Sequence, residues 1–161
     1  GHVTADAQGM TFARQSGRLH AVDVESGPYP GFSTDWLVPM MVLLAQADGR
    51  SRIHESVFED RLRCASGLRR FATRIELSTD CLGGSHCRFR GCDSPHSAVV
   101  APSRLRAARA TIPDLRAGFA YLTAALVSRG RSELDGIHHL HRGYCNLFGK
   151  LARLGAGIHG A

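Results

Sequence analysis

Asp35 stands between the turn Pro28-Tyr29-Pro30-Gly31 and an apolar run that begins at Trp36, which places a carboxylate at the mouth of a helix. An acidic group there is favoured by the helix macrodipole. It can accept a proton from a hydroxyl or serve as an ordinary N-cap. Later, Asp114-Leu115-Arg116 puts a cation near the same structural position, and Arg61 and Arg142 each fall where a following helix is expected to open. Helix N-termini attract anions, and several guanidinium groups converging on them would make a strong site for phosphate or carboxylate. A plain ion pair, Glu59 with Arg61, explains one of these arginines equally well.

Two other clusters carry metal-ligating side chains. Cys81, Cys87 and Cys92 lie near His86 and His96, but their spacing does not match the short Cys-x2-4-Cys knuckles of zinc sites. Reduced thiols on strands and turns are expected, with no metal. His138, His139 and His141 in a strand or turn would put only His139 and His141 on one face, again too few ligands. No cofactor is expected.

The elements that must position these groups follow from periodicity and punctuation. Residues 1–27 alternate weakly around Gly9 and Gly17 and read as short strands joined by turns. Ser33, Thr34 and Asp35 then open a helix carrying Leu37, Met40, Met41, Leu43 and Leu44, with Pro39 tolerable in its first turn. This helix is apolar nearly all round and should be buried on most sides. A strand at Arg50–Glu55, a helix from about Phe58 or Arg61 to Ala72 with Leu62, Leu68 and Phe71 inward, and a strand at Arg74–Leu77 follow. The stretch from Ser78 to Pro102 suggests a meander of short strands, including Cys87–Gly91 and Ala98–Val100. Leu105–Thr111 is strand-like, Asp114 caps a helix, Ser132–Leu134 forms a strand and Arg142–Leu154 the last helix.

The order repeats. Gly49-Arg50-Ser51 returns as Gly130-Arg131-Ser132, 81 positions on (130 − 49), and Arg61 maps to Arg142 at the same offset. The fold class expected is α/β (α+β), built from strand-helix-strand-helix-strand-strand units: residues 1–27 completing a preceding unit, 28–110 the first repeat and 111–161 the second.

Composition narrows the function. The chain has 161 residues and a formal net charge of +6, carried by arginine almost alone since Lys150 is the single lysine. Guanidinium-rich surfaces favour anionic ligands. Nucleic acid is not expected: there is no aromatic-basic interleaving, zinc-finger spacing or basic helix run. The most apolar run, Trp36–Ala45, is too short to cross a bilayer, and no signal peptide is read at the N-terminus. A cytoplasmic protein without a membrane partner is expected. The Gly1-His2 start suggests processing or a cut, and five cysteines argue against a complete disulfide framework.

Taken together, the Pro28–Asp35 stretch, Leu43–Gly49, Glu55–Arg61, Asp114–Gly118 and His139–Tyr144 resemble the UDP-N-acetylglucosamine enolpyruvyl transferases, with five motifs in order. The resemblance implies an inside-out α/β barrel made from six β-α-β-α-β-β units. It also implies transfer of the enolpyruvyl group of phosphoenolpyruvate to a hydroxyl of a UDP-sugar, in peptidoglycan precursor synthesis. By motif, Asp35 resembles the aspartate that contacts the acceptor hydroxyl as its base, and Val57 a position whose backbone touches the UDP-sugar. Arg116 and Arg142 resemble arginines facing phosphoenolpyruvate, while Asp114 and Arg61 match motif positions of less definite role. Ser33, Asp60, Pro113 and His141 depart from the family's usual proline, asparagine, preceding residue and aspartate.

The resemblance covers roughly the last two-fifths of such an enzyme. The implied partners are a UDP-sugar or other nucleotide, phosphoenolpyruvate and the N-terminal half of the same enzyme, without which the chain should be silent. The other readings are a relative acting on a different nucleotide in secondary metabolism, and a non-catalytic anion-binding or interaction module.

Overall fold

The computed structural model describes residues 2–13, 17–84 and 87–160, so His86 lies outside the described residues. The chain opens with an antiparallel hairpin, β1 (His2–Asp6) and β2 (Gly9–Ala13), whose ten residues are all exposed. It continues through β3 (Val24–Glu25), a 3-10 turn at Thr34–Trp36, α1 (Leu37–Leu44), β4 (Ser51–His54), a 3-10 helix at Arg61–Phe71, β5 (Arg74–Ser78) and β6 (Ser97–Ala101). These four strands form one sheet in the order β3-β4-β6-β5. β3 and β4 are parallel, with Val24 opposite Ile53, whereas β6 runs antiparallel to both β4 and β5. A parallel pair needs a crossover, and α1 supplies it.

The same device returns. β7 (Arg109–Thr111), α2 (Leu115–Val127) and β8 (Glu133–Asp135) make a second parallel strand pair joined by a helix, with Ala110 opposite Leu134. Two short helices close the chain, α3 (His138–His141) and α4 (Leu147–Arg153). The result is the mixed α/β fold expected, with a strand, helix, strand, helical segment, strand, strand order from Val24 to Ala101.

The core is where α1, α2 and the long 3-10 helix meet the sheet. Leu37, Met41 and Val42 of α1 are completely buried, with Ile53, Ile75 and Val100 from the strands below. On the 3-10 helix the buried residues are Leu62, Ala65, Leu68 and Phe71. That spacing of three is the period at which 3-10 side chains eclipse, so they form one straight apolar stripe. α2 offers small residues to the contact, Ala117, Ala120 and Ala124, all buried. Close approach is enforced at Gly67, where a Cβ would stand 1.6 Å from the Tyr121 hydroxyl.

Several elements depart from expectation. The helix at Arg61–Ala72 is 3-10 throughout, because its apolar residues recur every three positions rather than along a 3.6-residue face. Cys87–Arg90 is a turn, not a strand, and the strand expected over Leu105–Thr111 is confined to β7. The last helix does not start at Arg142: α3 ends just before it and α4 begins at Leu147. Between them Asn146 adopts a left-handed backbone, φ 48°, and Gly143 sits where a Cβ would be 2.7 Å from Leu115. The three histidines are accordingly helical, not in a strand or turn, with the His138 ring against His139 at 4.2 Å.

Candidate active site

Three helical segments point their N-terminal ends toward one hollow of about 760 Å³. The Thr34–Trp36 turn contributes Asp35, the 3-10 helix contributes Arg61 as its first residue, and α2 contributes Arg116 in its first turn. Asp114 caps α2: its Oδ1 accepts from the backbone N–H of Arg116 at 2.8 Å and of Ala117 at 2.9 Å. Ser33, not Asp35, caps the first turn, its hydroxyl accepting from the Asp35 N–H at 3.4 Å.

The Asp35 carboxylate is therefore released from capping and engages cations. Arg116 donates through Nε to Oδ1 at 3.0 Å, and Arg61 donates through its guanidinium to the same oxygen. Arg61 pairs with Asp35 rather than with Glu59, and its side chain is only 15% exposed, which fixes it more firmly than the 60% exposed Arg116. Asp35 and Arg116 are 81 residues apart, the offset of the internal repeat. A carboxylate at one helix mouth and a guanidinium at another thus meet across the packed helices.

Below Asp35 lies a second carboxylate, Glu55, which is completely buried at the end of β4. It accepts from the Ser26 hydroxyl at 2.6 Å, from the Thr34 hydroxyl, and from the backbone N–H of Val57 at 2.6 Å and of Phe58 at 3.1 Å. A buried carboxylate is tolerable only with its lone pairs satisfied, and these donors satisfy them. In doing so Glu55 ties the residue next to Asp35 to the loop that carries Val57 and Phe58.

An aromatic ladder flanks the acid. Trp36 meets the Phe119 ring edge-on at 6.4 Å, and Phe119 stacks on Tyr144 at 5.4 Å. Burial, then the nearby charge of Asp35, pushes the Tyr144 hydroxyl above its ordinary pKa. Cys64, which lines the hollow, is pushed up to about 11 by burial, with Asp114 adding to the effect and Arg61 opposing it.

Asp35, Arg61, Asp114 and Arg116 are brought together around this hollow. Arg142 is not: it is the exposed C-cap of α3 and does not line the hollow, because the chain turns between α3 and α4. Val57 is held beside the hollow through its N–H, and its carbonyl accepts from Arg88 at 3.4 Å.

The model of EPSP synthase (3-phosphoshikimate 1-carboxyvinyltransferase) matches residues 1–151. The chain belongs to the EPSP synthase family. Its relatives include the UDP-N-acetylglucosamine 1-carboxyvinyltransferase of Chlamydia muridarum, 42% identical over 98% of this chain and 36% of that protein. The enzyme of the same name from Caulobacter vibrioides is 37% identical over 97% of this chain and 33% of that protein. Among solved structures, the enolpyruvyl transferase NikO from Streptomyces tendae superposes with a TM-score of 0.79 at 27% identity, covering 97% of this chain and 33% of that one. This EPSP synthase family member thus spans about a third of the length of the curated relatives it matches. The resemblance seen in its five motifs is borne out, as is the fold class. No described helix is long and apolar enough to cross a membrane.

The sequence reading did not single out Glu55, which accepts from the Thr34 hydroxyl beside Asp35, or Tyr144, which stacks on Phe119. Both fall inside the quoted motifs, Glu55-Ser56-Val57 and Arg142-Gly143-Tyr144. The only earlier signal for Glu55 was an acidic residue closing a strand whose other members are largely buried.

Proposed function

We propose that this chain forms one wall of the active cleft of a UDP-N-acetylglucosamine enolpyruvyl transferase. The observation that carries the reading is the Asp35 carboxylate held between Arg61 and Arg116 in an open hollow. Both guanidinium groups address Oδ1, so Oδ2 is the oxygen available to an acceptor hydroxyl. In the reaction the hydroxyl oxygen bonds to C2 of phosphoenolpyruvate as the C2–C3 π pair takes a proton at C3 from an acid outside this wall, and the hydroxyl proton passes to Asp35. Loss of a C3 proton then restores the double bond as the C2–O bond breaks and phosphate leaves. Preorganised guanidinium groups stabilise the charge that develops on such a substrate.

Four arginines and four carboxylates line the hollow, so its arginines are neutralised until an anion enters. A bound phosphate or carboxylate competes with Asp35 for Arg61 and Arg116, and that exchange frees Asp35 for the hydroxyl. Arg142, exposed at the end of α3 and outside the hollow, is assigned to phosphoenolpyruvate in this reading by its motif alone. The remainder of the cleft comes from sequence of the kind the relatives carry outside the matched third, so the isolated chain binds but does not turn over. A cytoplasmic place in peptidoglycan precursor synthesis follows from the same reading.

Thermal shift tests it. UDP-N-acetylglucosamine with phosphoenolpyruvate should raise the melting temperature of the chain, and Arg116→Ala or Asp35→Ala should abolish the rise. Asp35 and Arg116 are more than half exposed, so losing their pair should cost less than about 1 kcal/mol and leave the fold intact. If neither ligand moves the melting temperature, autonomous ligand binding is excluded. A larger response to a different nucleotide would favour the second reading, a relative with another acceptor.

A further inference from the structure

The connector between the neighbouring strands β5 and β6 runs from residue 79 to residue 96 with no helix or strand among its described residues. Connections of that length inside a compact fold are uncommon and usually have a use. Its ends are fixed by the sheet, and the His96 N–H bonds the Ser78 carbonyl at 3.1 Å. The chain then folds back so that Cys81, Cys87 and His96 offer ligand atoms that all lie within 4.8 Å of one another.

We propose that Cys81, Cys87 and His96 bind one zinc ion, which clasps this connector to the edge of the sheet. Cys81 Sγ and His96 Nε2 are 3.5 Å apart. With Zn–S near 2.3 Å and Zn–N near 2.0 Å, tetrahedral coordination separates a sulfur from a nitrogen ligand by about 3.5 Å. The imidazole is set for the role. Its Nδ1–H donates to the Ser94 carbonyl at 3.0 Å, which leaves the Nε2 lone pair toward Cys81. A backbone carbonyl behind a ligating histidine is the usual outer support of such a site. His96 is buried, flanked by the Phe89 ring at 5.9 Å and the His54 ring at 5.7 Å. Phe89 is buried too, so one side of the site is apolar, whereas the two cysteines are half-buried and leave the fourth position to solvent.

The ligand spacing, Cys-x5-Cys-x8-His, hides this arrangement in the sequence, because the sheet rather than a knuckle brings His96 back to the thiols. Two thiolates with one imidazole suit zinc over magnesium or calcium, which prefer oxygen. Zinc displaces the thiol protons on binding, so its affinity rises with pH.

Cobalt(II) is the spectroscopic probe. Titrated into the reduced chain, it should give thiolate-to-cobalt charge transfer and strong tetrahedral visible bands that saturate at one equivalent, and zinc should displace it. Cys87→Ser and His96→Ala should weaken binding by at least about tenfold, while Cys145→Ser leaves it unchanged. Circular dichroism checks that each variant is folded. Since His96 is buried, the half-buried Cys87→Ser variant decides if His96→Ala unfolds. Absence of the charge-transfer band would overturn the proposal, as would a spectrum unchanged in the folded Cys87→Ser variant. None of these outcomes bears on ligand binding at Asp35.

Discussion

Asp35 and Glu55 divide the work of one carboxylate pair by burial. Asp35 is 57% exposed and faces guanidinium groups, whereas Glu55 is sealed and faces hydroxyls and backbone N–H groups. Removing Glu55 strands those donors, each costing about 1–3 kcal/mol if left unpaired. Glu55→Ala should therefore destabilise the chain by about 3 kcal/mol, and Glu55→Gln by less, as read from urea unfolding. Cys64 supplies a test in pH. Burial pushes its thiol from the ordinary 9.0 up to about 11, so the stability it contributes is complete below the lower value and is lost as pH rises through the higher. Wild type should lose up to about 2 kcal/mol relative to Cys64→Ala across that window. At this scale Asp35, Arg61, Asp114 and Arg116 were legible in the sequence, because acidic and basic residues at helix mouths have a local reason to be there. Glu55 was not, since its hydroxyl partners Ser26 and Thr34 lie on separate segments that only the fold gathers.

The elements show the same division between local and tertiary causes. Asp114 as a cap, Pro39 inside the first turn of α1 and the parallel crossovers follow from sequence, since each depends on neighbours a few residues away. The 3-10 character of Arg61–Phe71 was also present, in the spacing Leu62, Ala65, Leu68 and Phe71, but Ala65 is too small to announce itself as a core residue. The break at residues 142–146 was hidden because it answers to Leu115 on another helix. Close packing of the 3-10 helix on α2 yields the prediction for this scale. Gly67→Ala would drive a methyl into the Tyr121 hydroxyl, which donates to the Cys64 carbonyl at 3.0 Å. It should cost about 1–3 kcal/mol and weaken ligand binding as well, since Gly67, Cys64 and Tyr121 all line the hollow.

Across the whole molecule, two β-α-β devices set two helix mouths against each other, and the proposed site lies where they meet. The chain matches about a third of its curated relatives, so the proposed cleft is shared with sequence beyond it. The isolated chain should release no phosphate from phosphoenolpyruvate in the presence of UDP-N-acetylglucosamine, as followed by a phosphate assay. Weak binding to the wall itself should survive, and the most direct test is a titration of phosphoenolpyruvate into the nitrogen-labelled chain followed by NMR. Saturable shifts are expected, centred on the Nε–H groups of Arg61 and Arg116 and the backbone amides of Asp35 and Ala117, and lost in Arg116→Ala. Shifts confined to other faces, or identical in that variant, would contradict the proposed site.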